Sequence, residues 1–125
     1  MDTDVRALRS LAQTYFDAAY EMDADKFASI FDPASSVTKV GDDGNVGVTP
    51  IAMWLAAVRN MTAPKQQGLQ RHDQIISIDV EGELALVRLK LQIPPRYFTD
   101  MLSCLKVDGI WKIVQKVMTS KTSRL

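Results

Sequence analysis

The sequence predicts an α+β fold in which helices cover one face of a curved, mostly antiparallel sheet. Three observations carry this. Apolar residues recur at three- and four-residue steps through the first twenty positions. Apolar and polar residues alternate through most of the second half. Turn-forming dipeptides separate the alternating runs.

The first helix is expected from about Asp4 to Met22. Val5, Leu8, Leu11, Ala12, Tyr15, Phe16 and Ala19 form its stripe, with Asp2 or Thr3 as cap. Asp23 is the expected N-cap of a short helix, "ADKFASIF", which Asp32-Pro33 stops because a residue before proline is pushed out of the α region. "SSVTKV" and "NVGV" flank the turn-rich "GDDG" and predict a hairpin. Thr49 as N-cap and Pro50 at the first helical position open a third helix, with Ile51, Trp54, Leu55 and Val58 as its apolar stripe. Residues 62 to 70 are expected to form a loop.

The remainder is expected to be β. In "HDQIISIDV", Gln74, Ile76, Ile78 and Val80 share a side. In "ELALVRLKLQI", Ala85, Val87, Leu89, Leu91 and Ile93 do. With Glu81-Gly82 as the turn, Val80 pairs with Glu83, Ile78 with Ala85 and Ile76 with Val87. His72 then faces Leu91 on the inner side, and Asp73 meets Lys90 on the other. Pro94-Pro95 breaks the ladder before a last hairpin about Asp108-Gly109.

The chain of 125 residues suits one domain, 1–125, rather than two. Its 15 basic residues balance 15 acidic ones and are scattered, which argues against nucleic acid or an anionic membrane as partner. A single cysteine, Cys104, allows no internal disulfide and suits a reducing cytoplasm. The acidic start "MDTDVRALRS" has no apolar core of a signal peptide, and no apolar run is long enough for a membrane span. The expected location is cytoplasmic. No Cys/His cluster has zinc spacing, "GDDG" lacks the other ligands of a calcium loop, and no phosphate-binding glycine motif or nucleophile elbow occurs. No metal and no cofactor are therefore expected.

The last hairpin raises the functional question. A two-residue turn at Asp108-Gly109 pairs Lys106 with Trp111, Cys104 with Ile113, Leu102 with Gln115 and Asp100 with Val117. One face then carries Phe98, Asp100, Leu102, Cys104, Trp111, Ile113, Gln115 and Val117, and points at the helices. The other carries Met101, Leu105, Val107, Ile110, Val114 and also Lys112 and Lys116; its apolar residues suit a homodimer packed sheet against sheet. A carboxylate on an apolar face must be wet, paired or protonated. Asp100 and Gln115 are thus candidate ligand groups in an apolar cavity, with Tyr15, Tyr20, Trp54 and Phe98 as walls and His72 near one end. The bland alternatives are a solvated Asp100 at a strand end, a Gln115 bonded to main chain, a structural His72, and Tyr15 and Trp54 as plain core. Cys104 reads as a buried, inert thiol.

The stretches "YEMDADKFASIFDPASSVTKV", "VTPIAMWLAAV", "IISIDVEGELALVRL" and "YFTDMLSCLKVDGIWKIVQKV" resemble the nuclear-transport-factor-two-like superfamily, and within it the lumazine-binding, SnoaL-like branch. Gln115 departs from the Asn often found at that position. The resemblance implies a cone-shaped fold, with three N-terminal helices on a strongly curved sheet, a helix-lined pocket and a dimer. The superfamily includes isomerases, dehydratases and cyclases, and also members with no known reaction.

Three functions remain open on the sequence. One is a small-molecule-binding module using Asp100 and Gln115. The second is a cofactor-free isomerase, dehydratase or cyclase with Asp100 as general base and His72 or a tyrosine as donor. The third is a non-catalytic dimeric scaffold.

Overall fold

The computed structural model describes residues 2–122. Helix α1 (Asp2–Glu21) lies across the inner face of a six-stranded sheet. Helix α2 (Ala24–Ala28) follows at once, capped by Asp23, whose side chain accepts a 3.0 Å hydrogen bond from the Lys26 amide. Strands β1 (Ser36–Val40) and β2 (Val46–Pro50) form the expected hairpin, and helix α3 (Ile51–Arg59) follows them. The helices are therefore not one N-terminal block. One is long, two are short, and α3 comes only after the first hairpin. Pro50 rather than Thr49 occupies the position before α3, with the Ile51 amide donating instead to the Ser35 carbonyl at 3.0 Å. Helix α1 already begins at Asp2, so Asp2 and Thr3, the expected caps, fall within the helix rather than before it.

Strands β3 (Asp73–Glu81), β4 (Leu84–Ile93), β5 (Arg96–Val107) and β6 (Ile110–Thr122) complete the sheet, in spatial order β2-β1-β6-β5-β4-β3. Every neighbouring pair is antiparallel except β1 with β6. Pro94-Pro95 is itself the turn of a β4–β5 hairpin, since Ile93 pairs with Arg96, so the ladder runs on rather than breaking there. No described helix is long and apolar enough to cross a membrane.

Two β-bulges set the register, and each inserts one unpaired residue that bends its strand. On β3 the turn is Gly82-Glu83, not Glu81-Gly82, so Val80 pairs with Ala85 and Ile78 with Val87. Ile76 is then the extra residue, Ile75 pairs with Leu89, and Asp73 meets Leu91 rather than Lys90. Ile75 consequently packs against the core, while Ile76 and His72 are exposed. On β6 the expected pairs hold from the turn as far as Cys104 with Ile113. Val114 is then extra, and beyond it Leu102 pairs with Lys116 and Asp100 with Met118.

The core forms between α1, α2 and the inner sheet face. Leu8, Ala12 and Tyr15 of α1 and Phe27 of α2 meet Val87, Leu89, Leu102 and Ile113, all at most 2% exposed. At roughly 25 cal/mol per Å² of apolar area removed from water, this contact is the principal stabilising term.

Candidate functional site

Asp100 is 2% exposed, deep on the inner face of β5. The parity of β5 and the short turn at 108–109 place it there, and α1 places Tyr15 above it. The Tyr15 hydroxyl donates to Asp100 Oδ2 at 2.5 Å. Burial, together with the neighbouring Asp100 carboxylate, holds the Tyr15 hydroxyl well above the usual phenol range, so it stays a proton donor.

The third member of the group is Lys116, which the sequence places outward. The extra residue Val114 reverses the face of everything after it, so Lys116 turns inward and is only 4% exposed. Its Nζ stands 3.8 Å from Asp100 Oδ2, an ion pair beyond hydrogen-bond reach. It also sits 4.4 Å from the Trp54 ring centre and 5.2 Å from that of Tyr15, both within cation–π range. Desolvation pushes the Lys116 ammonium below the usual lysine range, and the Asp100 charge only partly offsets this. Phe27 and Phe31 close the box, with Phe27 edge-on to Trp54 at 4.8 Å and to Tyr15 at 5.3 Å. Oδ1 of Asp100 is buried and has no hydrogen-bond partner.

The other expected site residues separate. The same bulge sends Gln115 to the outer face, opposite Ser103. There its amide donates to Thr38 Oγ1 at 2.6 Å and its carbonyl accepts from Ser36 Oγ at 2.8 Å. Gln115 thus ties β6 to β1 and does not face Asp100. Tyr20 donates to the Leu69 carbonyl at 2.9 Å and lies under the Arg71 guanidinium, so it anchors the 62–70 loop. Phe98 is inward and half-buried, one row beyond Asp100, between Leu91 and Ser120. His72 borders a cleft on the sheet with residues of β4, β5 and β6, and no hydrogen bond joins it to Asp100. Tyr15, Trp54 and Asp100 are the expected residues that come together. Lys116 is the one missed, because no residue type near Val114 announces a bulge. Cys104 is buried, as expected, and desolvation pushes its thiol up to about 12.

The Asp100 box is lined by the lysine stem and the four rings, and three clefts of the described surface open elsewhere. Among the described residues no group of His, Cys, Asp or Glu is placed to hold a metal ion. The trio can present one free carboxylate oxygen and one buried ammonium, the Tyr15 hydroxyl being already engaged by Asp100 Oδ2.

A family model described as "Putative lumazine-binding" matches residues 3–119. The chain belongs to this family. Within the wider nuclear-transport-factor-two-like superfamily, the same fold recurs in an NTF2-like protein of unknown function from Shewanella baltica OS155. That protein is 23% identical, with 97% of this chain and 96% of that one covered and a TM-score of 0.88. A second such protein, from Silicibacter pomeroyi DSS-3, is 22% identical over 96% and 98% of the two chains, with a TM-score of 0.80. A ketosteroid isomerase-like protein from Erwinia carotovora atroseptica is 12% identical over 98% and 99%, with a TM-score of 0.75. No curated protein matches the chain. At these identities the structural likeness concerns the lumazine-binding-like fold alone.

Proposed function

We propose that this chain is a small-molecule-binding protein whose recognition group is the Asp100 carboxylate, opened to a ligand by movement of Trp54. The observation that carries the reading is Asp100 Oδ1, a buried acceptor without a donor. Such a group costs roughly 1–3 kcal/mol or more, and a ligand N–H or O–H would remove that cost. The family description suggests the ligand class, a flat heterocycle of the lumazine kind. Its adjacent N–H and C=O groups match an acceptor at Oδ1 and a donor at Lys116 Nζ. Trp54 is half-buried, so its ring is the part with room to swing away and leave Lys116 Nζ beside the ligand. The supporting residues are Tyr15, Trp54, Asp100 and Lys116, with Phe98 at the margin.

Calorimetric titration with lumazine tests this. Saturable binding is expected, weakened about tenfold or more by Asp100→Asn, since a hydrogen bond to a charged group contributes about 1.5–3 kcal/mol. No heat and no rise in melting temperature with lumazine would sink the reading.

A dimeric scaffold is the second reading, favoured by the outer sheet face. There Met101 and Leu105 are each 40% exposed, and Val107, Ile110 and the re-aimed Val117 more so. Val117 lies directly beside Met101 on the neighbouring strand, and the polar Ser103–Gln115 row separates this pair from Leu105, Val107 and Ile110 nearer the turn. A second copy meeting it face to face would bury both patches at once. The enzymatic reading would use the same Oδ1 as base. Its expected donor His72 is exposed and lines the separate cleft, and the Tyr15 hydroxyl already donates to Asp100 itself, so neither expected donor faces a substrate beside Oδ1.

A further inference from the structure

The end of the sheet farthest from the Asp108-Gly109 turn carries a feature that neither the Asp100 box nor the apolar patch uses. Two adjacent rows of side chains share the outer face there. Gln74, Lys90, Thr99 and Thr119 pair in sequence across β3 to β6, and Gln92, Tyr97 and Lys121 form the next row. With His72 and the row between them, Asp73, Leu91, Phe98 and Ser120, they border a cleft of about 580 Å³, within the size range of small-ligand sites.

The charges of this cleft are one-sided. Among the described residues, neither Lys90 nor Lys121 has a carboxylate within ion-pair distance. The one acid in the lining, Asp73, is already engaged by Arg71 at 2.8 and 3.0 Å, and its row belongs to the inner face. Lys90 and Lys121 stand two strands and one row apart, so strand spacing and rise put their Cα atoms about 12 Å from each other. Two flexible four-carbon stems can close that gap over Thr99 and Tyr97, which lie on the strand between. Two ammonium groups brought together repel unless an anion sits between them. Threonine hydroxyls from β5 and β6, Thr99 and Thr119, can donate to the same anion. Tyr97 is 40% exposed and offers a ring face beside this point.

We propose that this cleft binds a small organic anion, a carboxylate or phosphate ester carrying a flat ring. The oxyanion lies between Lys90 and Lys121 and takes hydrogen bonds from Thr99 and Thr119, and the ring rests on Tyr97. The site is independent of Asp100, which lies on the opposite face of the sheet.

Isotope-labelled full-length protein titrated with benzoate, phenyl phosphate and inorganic phosphate tests the site by amide shifts. Saturable shifts confined to residues 90–92, 97–99 and 119–121 are expected for both ring-bearing probes. Lys90→Gln with Lys121→Gln, both on the surface, is expected to weaken binding about tenfold or more without lowering the melting temperature. Tyr97→Leu is expected to weaken phenyl phosphate but not inorganic phosphate. Shifts scattered over all lysines, or undiminished binding by the double variant, would overturn the site. Phenyl phosphate binding no tighter than inorganic phosphate would overturn the role of the ring.

Discussion

Lys116 is the residue on which the interior turns. A lysine ammonium is almost never buried without a partner, and here the partner is a carboxylate that also holds a tyrosine hydroxyl. Removing one member leaves an uncompensated charge in the core. Lys116→Met is therefore expected to destabilise the fold by about 3–5 kcal/mol, whereas Asp100→Leu combined with Lys116→Met should recover most of the loss. Urea unfolding of the wild type, both single variants and the double variant reads this directly. The pH dependence has a definite sign. The Lys116 ammonium is penalised in the fold, so its folded pKa lies below its unfolded value of about 10.5. Between those two values the unfolded chain holds more protons, and stability from this group rises with pH. The wild type should accordingly gain on Lys116→Met as pH rises toward 10.5. A flat or falling difference would contradict the assignment.

Among the elements, the β5–β6 hairpin does most to position the site, and its turn and its bulge do different jobs. Asp108 and Gly109 have φ of 51° and 79°, the left-handed pair of a tight hairpin turn. A Cβ on Gly109 would meet open space, so the cost there is conformational alone. Gly109→Ala is expected to lower stability by about 1 kcal/mol without changing the pairing, checked by chemical denaturation and by unchanged β6 amide shifts. A change in register would instead show that the turn residue also sets the bulge. Much of this hairpin is legible from sequence, since Asp-Gly and strict alternation fix the register up to Cys104 and Ile113. Val114 is where legibility stops. A bulge is favoured by the bend it gives a sheet wrapped over helices, and that benefit belongs to long-range packing. Ile76 on β3 repeats the lesson, because one unpaired residue moves His72 out of the expected interior.

At the scale of the molecule, two faces of one sheet have opposite tasks. The inner face is occupied by helices α1 and α2, whereas the outer face leaves Met101, Leu105, Val107, Ile110 and Val117 partly in water. If a second copy covers them, light scattering should return twice the mass of one chain at micromolar concentration. Met101→Lys with Val117→Lys should return one chain mass with little loss of folding. A monomer in the unmodified protein would remove the scaffold reading and leave the ligand readings untouched. The anion cleft lies at the other end of the same outer face, so dimerisation through the patch would leave it accessible.

Sequence alone determined the element types, the inner positions of Asp100 and Tyr15, the sealed Cys104 and the family, because periodicity, turn chemistry and motif order are local properties of the chain. The tertiary structure decided which charged side chain meets Asp100. It put Lys116 in and Gln115 out, because a single inserted residue inverts every side chain beyond it, and only the bend of the sheet against α1 and α2 says where that residue goes.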